Sequence, residues 1–233
     1  MKVLVIAAHP DDEVLGCGGT AARLVREGHE VHFAILGEGA TSRLPQRADT
    51  DAGKITKLQQ QAHAAATKVG VKNLTLHDLP DNRLDTVPLL DVVKIVESLV
   101  ERLEPEVIYT HHAGDLNVDH GVIHRAVLTA TRPMAGQPVR DIYAFEVASS
   151  TEWAFQRIEP AFRPNVFVDI TRTIEVKIAA MECYETEARK FPHPRSPEAL
   201  RALATRWGSV VGCAAAEAFE LVRSVRPVRP YLD

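Results

Sequence analysis

The stretch Val3-Leu4-Val5-Ile6-Ala7-Ala8-His9-Pro10-Asp11-Asp12-Glu13 decides the fold. Its first six residues are continuously aliphatic, the composition of a strand buried on both faces of a parallel sheet. The five that follow are polar or turn-forming, so the strand must end in a sharp turn. Residues 14–27 then carry apolar side chains at helical spacing and stop at Gly28, a natural C-terminal residue for a helix. A second strand over 31–36 completes the unit. The same alternation recurs with a helix over 51–69 ending at Gly70, a strand at 74–76, a helix over 89–103 and a strand over 107–110. This order predicts an α/β fold built on a doubly wound, mostly parallel sheet with helices on both faces.

Beyond His120 the pattern predicts a helix over 119–131, strands at 142–145 and 166–168, and helices over 173–189 and 197–222. The loop 132–140 is too short for a domain linker and no segment repeats, so residues 1–233 read as a single domain. An apolar fraction of 45% and a charged fraction of 25% are those of an ordinary globular protein, which excludes disorder. A net charge of −4 excludes a nucleic-acid footprint. Arg223, Arg226 and Arg229, interleaved with Pro227 and Pro230, read as a solvated tail. Cys17, Cys183 and Cys213 form no C-x-x-C pair, so neither a disulfide framework nor a thiolate zinc knuckle is expected. The apolar run at the start is too short for a signal peptide, and no stretch reaches the roughly 18–20 apolar residues of a membrane span. A cytoplasmic location is the expectation.

Ligands of open α/β sheets bind beyond the carboxyl ends of the strands. Three polar runs fall at such ends: 9–13 after the first strand, Gly37-Glu38-Gly39 after the second, and 111–120 after the strand that ends at Thr110. A catalytic zinc needs three nitrogen or oxygen ligands and one open position. His9 and Asp12 on a tight turn, joined by the distant His120, meet that count. Asp11 is left beside the site as the general base for the water that the metal activates. Either aspartate alone would read as a helix cap; five consecutive polar or turn residues after a buried strand are a poor way to build a core. Glu13 reads as an outer partner that orients a ligand histidine, and Asp119 as support for His120. Of His111 and His112, one is expected to line the site and the other to serve packing or polar support.

Taken together, Ala8-His9-Pro10-Asp11-Asp12-Glu13, Gly16, Gly18-Gly19 and the late Asp119-His120 resemble the LmbE-like (PIG-L) family of N-acetylglucosaminyl deacetylases. Gly37-Glu38-Gly39 with Arg43, and Phe191-Pro192-His193-Pro194-Arg195-Ser196, are similar to one branch of it. The resemblance implies a Rossmann-like fold, zinc on His9, Asp12 and His120, Asp11 as general base, and removal of an N-acetyl or other N-acyl group from an amino sugar. The substrate would be a small molecule, free, lipid-linked, thiol-conjugated or nucleotide-activated. Arg43, Arg47 and Arg195 would grip its hydroxyls or phosphate. At one position the chain departs from the pattern: many relatives carry histidine where Asn117 stands. An amide can stabilise an oxyanion but cannot protonate a leaving amine. His193 is then the leading candidate acid, followed by His112, and Asp11 could return the proton it removed.

Two rivals share these residues. Two histidines and a carboxylate also form the facial triad of non-haem Fe(II) oxygenases, although those sit on β-sandwiches. Gly16-Cys17-Gly18-Gly19 loosely imitates a dinucleotide fingerprint, yet two carboxylates directly after the first strand would repel a pyrophosphate. A catalytically impaired sugar-binding relative is the third reading that Asn117 allows. No heptad or sustained apolar stripe marks an interface, and a homo-oligomer is compatible with the sequence.

Overall fold

Alternation along the first strand organises the molecule. In the computed structural model, which describes residues 1–42 and 52–226, β1 spans Lys2–Ala7. Val3, Val5 and Ala7 face one hydrophobic cluster, whereas Leu4, Ile6 and Ala8 face a second on the opposite side of the sheet. Leu4 and Ile6 are fully buried, and burial of such a side chain stabilises by about 1.5–3 kcal/mol. The remaining elements follow as α1 (Asp12–Arg26), β2 (Glu30–Gly37), α2 (Ala52–Val69), β3 (Asn73–Leu79), α3 (Leu89–Leu103), β4 (Val107–His111), α4 (Val118–Ala130) and β5 (Asp141–Phe145). They are completed by β6 (Val166–Asp169), α5 (Ile174–Met181), α6 (Pro197–Val211) and β7 (Ala216–Ser224). Helices α1, α2 and α5 cover the first cluster, and α3 and α4 the second.

The described residues form one seven-stranded sheet in the order β3-β2-β1-β4-β5-β7-β6. The first five strands are parallel, and β7 runs antiparallel to both of its neighbours. The expected doubly wound, mostly parallel sheet is therefore what the chain builds. From β1 the chain winds outward to β2 and β3 on one side and to β4 and β5 on the other. The crevice between the carboxyl ends of β1 and β4 is thus the point where strand order reverses.

Two expectations at the C-terminal end are corrected. The helix expected over 197–222 ends at Val211, where Gly212 takes the left-handed conformation (φ 79°), and the alanine-rich run after it forms β7. Helix propensity loses here to tertiary pairing, because the run fills the gap between β5 and β6 and buries Ala216, Ala218 and Phe219. The helix expected over 173–189 is regular only over Ile174–Met181. Beyond it the chain turns so that buried Tyr184 and Glu187 point toward the loop after β1, where Tyr184 Oη donates to Glu13 Oε1 at 2.5 Å.

Candidate active site

The turn after β1 is held in an unusual conformation. Asp11 has φ 113°, a region that favours glycine, so surrounding contacts must fix it. Its backbone N–H donates to Glu13 Oε2 at 3.0 Å, and the other oxygen of Glu13 accepts from Tyr184. Glu13 thus supports Asp11 rather than a histidine. Burial lifts the Glu13 carboxyl to a pKa of about 7, with the Tyr184 hydrogen bond opposing. A second close approach fixes the rim of β2. Gly37 N–H donates to Ala8 O at 2.7 Å, and a Cβ on Gly37 would lie 2.8 Å from that oxygen, so only glycine fits.

From these turns three side chains converge. Asp12 Oδ2 lies 3.2 Å from His9 Nδ1 and 3.3 Å from His120 Nε2, and these donor atoms form one compact cluster. The outward-facing nitrogen of each histidine meets a carboxylate. His9 Nε2 is 2.9 Å from Asp119 Oδ2, and His120 Nδ1 is 3.1 Å from Asp115 Oδ1. Asp119 is itself fixed by backbone donors: Asn82 N–H to Oδ2 at 2.7 Å and Leu84 N–H to Oδ1 at 2.9 Å. Asp115 accepts from Thr151 Oγ1 at 2.5 Å, from Asn117 N at 2.9 Å and from the Ser150 hydroxyl. A second grouping, His9 with Asp81 and Asp119, shares His9. Because Asp119 is committed to backbone donors, it orients His9 toward Asp12 and His120.

This set calls for positive charge. Burial disfavours charge on the His9 imidazole, yet hydrogen bonds to Asp119 and Asp12 outweigh it and raise the pKa well above the ordinary value. His120 is lifted to about 9, burial being outweighed by Asp12 and Asp115. Asp12 is held well below the carboxylate range: burial would raise it, and His120 and His9 lower it. For Asp115 burial likewise gives way to hydrogen bonds from His120, Ser150 and Thr151, which bring it down to about 2. Both His120 nitrogens are buried without a well-formed hydrogen bond among the described residues, and it is Nε2 that faces Asp12 and His9. Two imidazole nitrogens and a carboxylate oxygen, one nitrogen orphaned and both rings backed by carboxylates, fit a divalent transition ion. His111 lies beneath, its ring 3.8 Å from that of His120 and its Nε2 accepting the Ala8 N–H at 2.7 Å. Burial and His120 keep it well below the usual pKa, hence neutral.

Asp11 sits beside the cluster with its Oδ2 2.5 Å from Arg195 Nη1. The same guanidinium reaches Glu187 Oε2 at 3.2 Å and Ser149 Oγ at 2.8 Å. Arg195 is thus paired with protein groups through Nε and Nη1. Burial raises the Asp11 carboxyl well above the usual range, and Arg195 draws it partly back. His193 stands two residues away, with Nδ1 accepting the Arg195 N–H at 3.1 Å and its ring edge-on to Trp153 at 5.8 Å.

His112 does not join the cluster. Its Nδ1 lies 2.6 Å from Glu220 Oε2 and its Nε2 2.8 Å from Pro160 O, so it braces β4 against β7 and the 160 loop. Asn117 is the N-cap of α4, its side-chain oxygen accepting Asp119 N–H at 2.9 Å, a capping task that the sequence reading did not assign it. Arg43 and Arg47 lie outside the described residues. Tyr184, Glu187 and the 149–151 run were not singled out. The rule of strand carboxyl ends would have found Ser149, Ser150 and Thr151, which follow β5; Tyr184 carried no signal. A cavity of about 610 Å³ lies near Arg23 and Arg172, and one of about 680 Å³ lies beside α4. The first lies by the C-terminal end of α1, away from the strands' carboxyl rim, and neither gathers the convergent donors found here.

The profile of the family described as GlcNAc-PI de-N-acetylase (PIG-L) matches residues 4–131, more than half of the chain. Diacetylchitobiose deacetylase of Thermococcus kodakarensis is 24% identical, covering 96% of this chain and 84% of its own length. The 4-oxalmesaconate hydratase of Pseudomonas putida is 26% identical over 78% of this chain and 72% of its own. Among solved structures, N,N'-diacetylchitobiose deacetylase from Pyrococcus horikoshii, bound to an inhibitor, superposes with a TM-score of 0.76. That superposition covers 99% of this chain and 87% of the other at 19% identity, a likeness of fold.

Proposed function

Because the chain belongs to the GlcNAc-PI de-N-acetylase (PIG-L) family, we propose that it is a zinc hydrolase removing an N-acyl group, acetyl foremost, from an amino sugar or its conjugate. The observation that carries this reading is the convergence of His9, Asp12 and His120 with a carboxylate behind each imidazole. A zinc ion bound there supplies Lewis acidity, polarising an amide carbonyl and lowering the pKa of water.

The chain's own residues supply proton transfer and orientation. Asp11 accepts the proton of the attacking water. Arg195 occupies its Oδ2, so the accepting atom is Oδ1. The leaving amine must then be protonated, and the geometry narrows the choice of acid. His112 is turned away, and Asn117 has no transferable proton. The Arg195 N–H donating to His193 Nδ1 fixes the His193 proton on Nε2, while partial burial and the neighbouring Arg195 and Arg189 lower its pKa. His193 therefore serves as a neutral donor toward the carbonyl oxygen, and Asp11 returns its proton to the nitrogen. This assignment resolves the departure at Asn117 without requiring a second acid.

Amine release from N-acetylated sugars by the zinc-loaded protein tests the reading. Asp11→Asn should lower kcat by about 10²–10⁴ with zinc content unchanged, the usual contribution of a positioned base. The α/β sheet is not the β-sandwich on which the oxygenase rival rests. A second reading is favoured by the hydratase relative, since an ion, a water and a base also suit addition of water to a C=C bond. Hydration of an unsaturated dicarboxylate without amine release from any amide would favour that reading instead.

A further inference from the structure

A small cavity adjoins the site on the side of α2. It holds about 250 Å³, below the roughly 300–1,000 Å³ of sites for drug-sized ligands, so it accepts one small unit. Gly39, Ser42, Leu58, Gln61, Thr186 and Glu187 are among its walls. Gln61 is only 7% exposed, and neither its amide oxygen nor its amide nitrogen has a hydrogen-bond partner among the described residues. Leaving such a group unsatisfied is costly, and buried polar side chains in folded proteins are nearly always paired. Lys54 and Lys57 also line it, Lys57 being taken by Glu185 at 2.7 Å, and the buried wall groups are the Gln61 amide, Leu58 and Glu187, a carboxylate that disfavours an anion. A polar edge beside an apolar floor matches the hydroxyls and C–H face of a polyol ring better than a phosphate. The cavity also communicates with the chemistry. Glu187, in its wall, contacts the Arg195 that holds Asp11, and a Cβ on Gly39 would meet both Pro10 and Leu58.

We infer that this cavity is the subsite for the hydroxylated unit attached to the N-acylated sugar, with the Gln61 amide bonding two of its hydroxyls. The proposal rests on the deacetylase reading for its place in the substrate. It makes the enzyme selective for disaccharides or polyol conjugates over the free amino sugar, through binding of a ring that does not react.

The test compares N,N'-diacetylchitobiose with N-acetylglucosamine as substrates, and chitobiose with glucosamine as unreactive probes followed by calorimetric titration. In Gln61→Leu, and in Gln61→Met as a second variant of similar volume, KM for the disaccharide should rise about tenfold, with kcat and the monosaccharide constants unchanged. Chitobiose binding should weaken by the same factor. Equal binding of both probes to wild-type and variant protein would overturn the proposal, leaving the amide to hold a water. If wild-type protein releases no amine from either substrate, the deacetylase reading fails, while the chitobiose titration still decides the subsite. If amine is released from both with a ratio that the variants leave unchanged, the subsite fails and the deacetylase stands.

Discussion

Replacing Arg195 by alanine separates two roles that the sequence could not distinguish. In the structure its guanidinium spans Asp11 Oδ2 at 2.5 Å, Glu187 Oε2 at 3.2 Å and Ser149 Oγ at 2.8 Å. The side chains of Asp11 and Glu187 are only 3% and 10% exposed, so truncation removes a cation that both buried carboxylates contact. Breaking one partner out of a buried pair costs about 3–5 kcal/mol, and the 19% exposure of Arg195 places the expectation near the lower bound. At about 2–4 °C per kcal/mol for a chain of this size, Tm should fall by about 6–12 °C. The free Asp11 carboxylate should also lose its orientation, and kcat for amine release should drop by about 10²-fold or more with KM little changed. Arg195→Lys keeps a charge but not the planar fork, so it should recover part of the stability and leave kcat about tenfold down. Thermal unfolding of the zinc-loaded variants and steady-state amine release measure both. A Arg195→Ala enzyme whose kcat stays within about twofold of wild type while KM alone rises would show that the arginine grips substrate, and would refute its positioning role.

Three further expectations follow from the same contacts. Asp119→Ala removes the carboxylate behind His9 and should weaken zinc affinity by about 10–100-fold, measured by competition with a chromophoric chelator. His112→Ala leaves Glu220 without its imidazole partner at 2.6 Å and should cost about 1–3 kcal/mol of stability in thermal unfolding while kcat is preserved. Glu146 is raised from 4.5 to about 7 by burial, with the Trp207 hydrogen bond opposing. A raised carboxyl contributes stability that is full below the unfolded value and is lost as pH rises through the folded one. Wild-type stability should therefore fall between about pH 4.5 and 7 relative to Glu146→Gln, and parallel Tm profiles for the two proteins would contradict this.

The fold and the donor triad were legible because each rests on short-range rules. The aliphatic run 3–8 could only be a doubly buried strand, and His9, Asp12 and His120 each lie just beyond a strand end that topology brings to one rim. What escaped the sequence depends on pairings that local pattern does not encode. β7 has an alanine-rich, helix-like composition and becomes a strand only because β5 and β6 leave a gap of one strand between them. Arg195 lies in a Pro-rich turn, and its partner Asp11 is 184 residues away, so its commitment could not be read from spacing. Asn117 was read only for its chemistry toward substrate, whereas the start of α4 also uses its oxygen to cap the helix.

The carboxylates around the cluster explain why so many strand ends must take part. Asp11, Asp12, Asp81, Asp115 and Asp119 are each at most 5% exposed, and Arg195 pairs with Asp11 among them. Such a concentration of negative charge is tolerable only if each oxygen is saturated by donors or faces a cation. The donors come from separate loops: Asn82 and Leu84 after β3, Asn117 before α4, Ser150 and Thr151 after β5, and Arg195 before α6. These loops fix Asp119 behind His9, Asp115 behind His120 and Asp11 itself, and Asp12 Oδ2 is the oxygen shared by His9 and His120. The reversal of strand order at β1 and β4 is what lets these loops reach a common point. On this fold, the position of the site and the saturation of its charges are therefore consequences of the same topology.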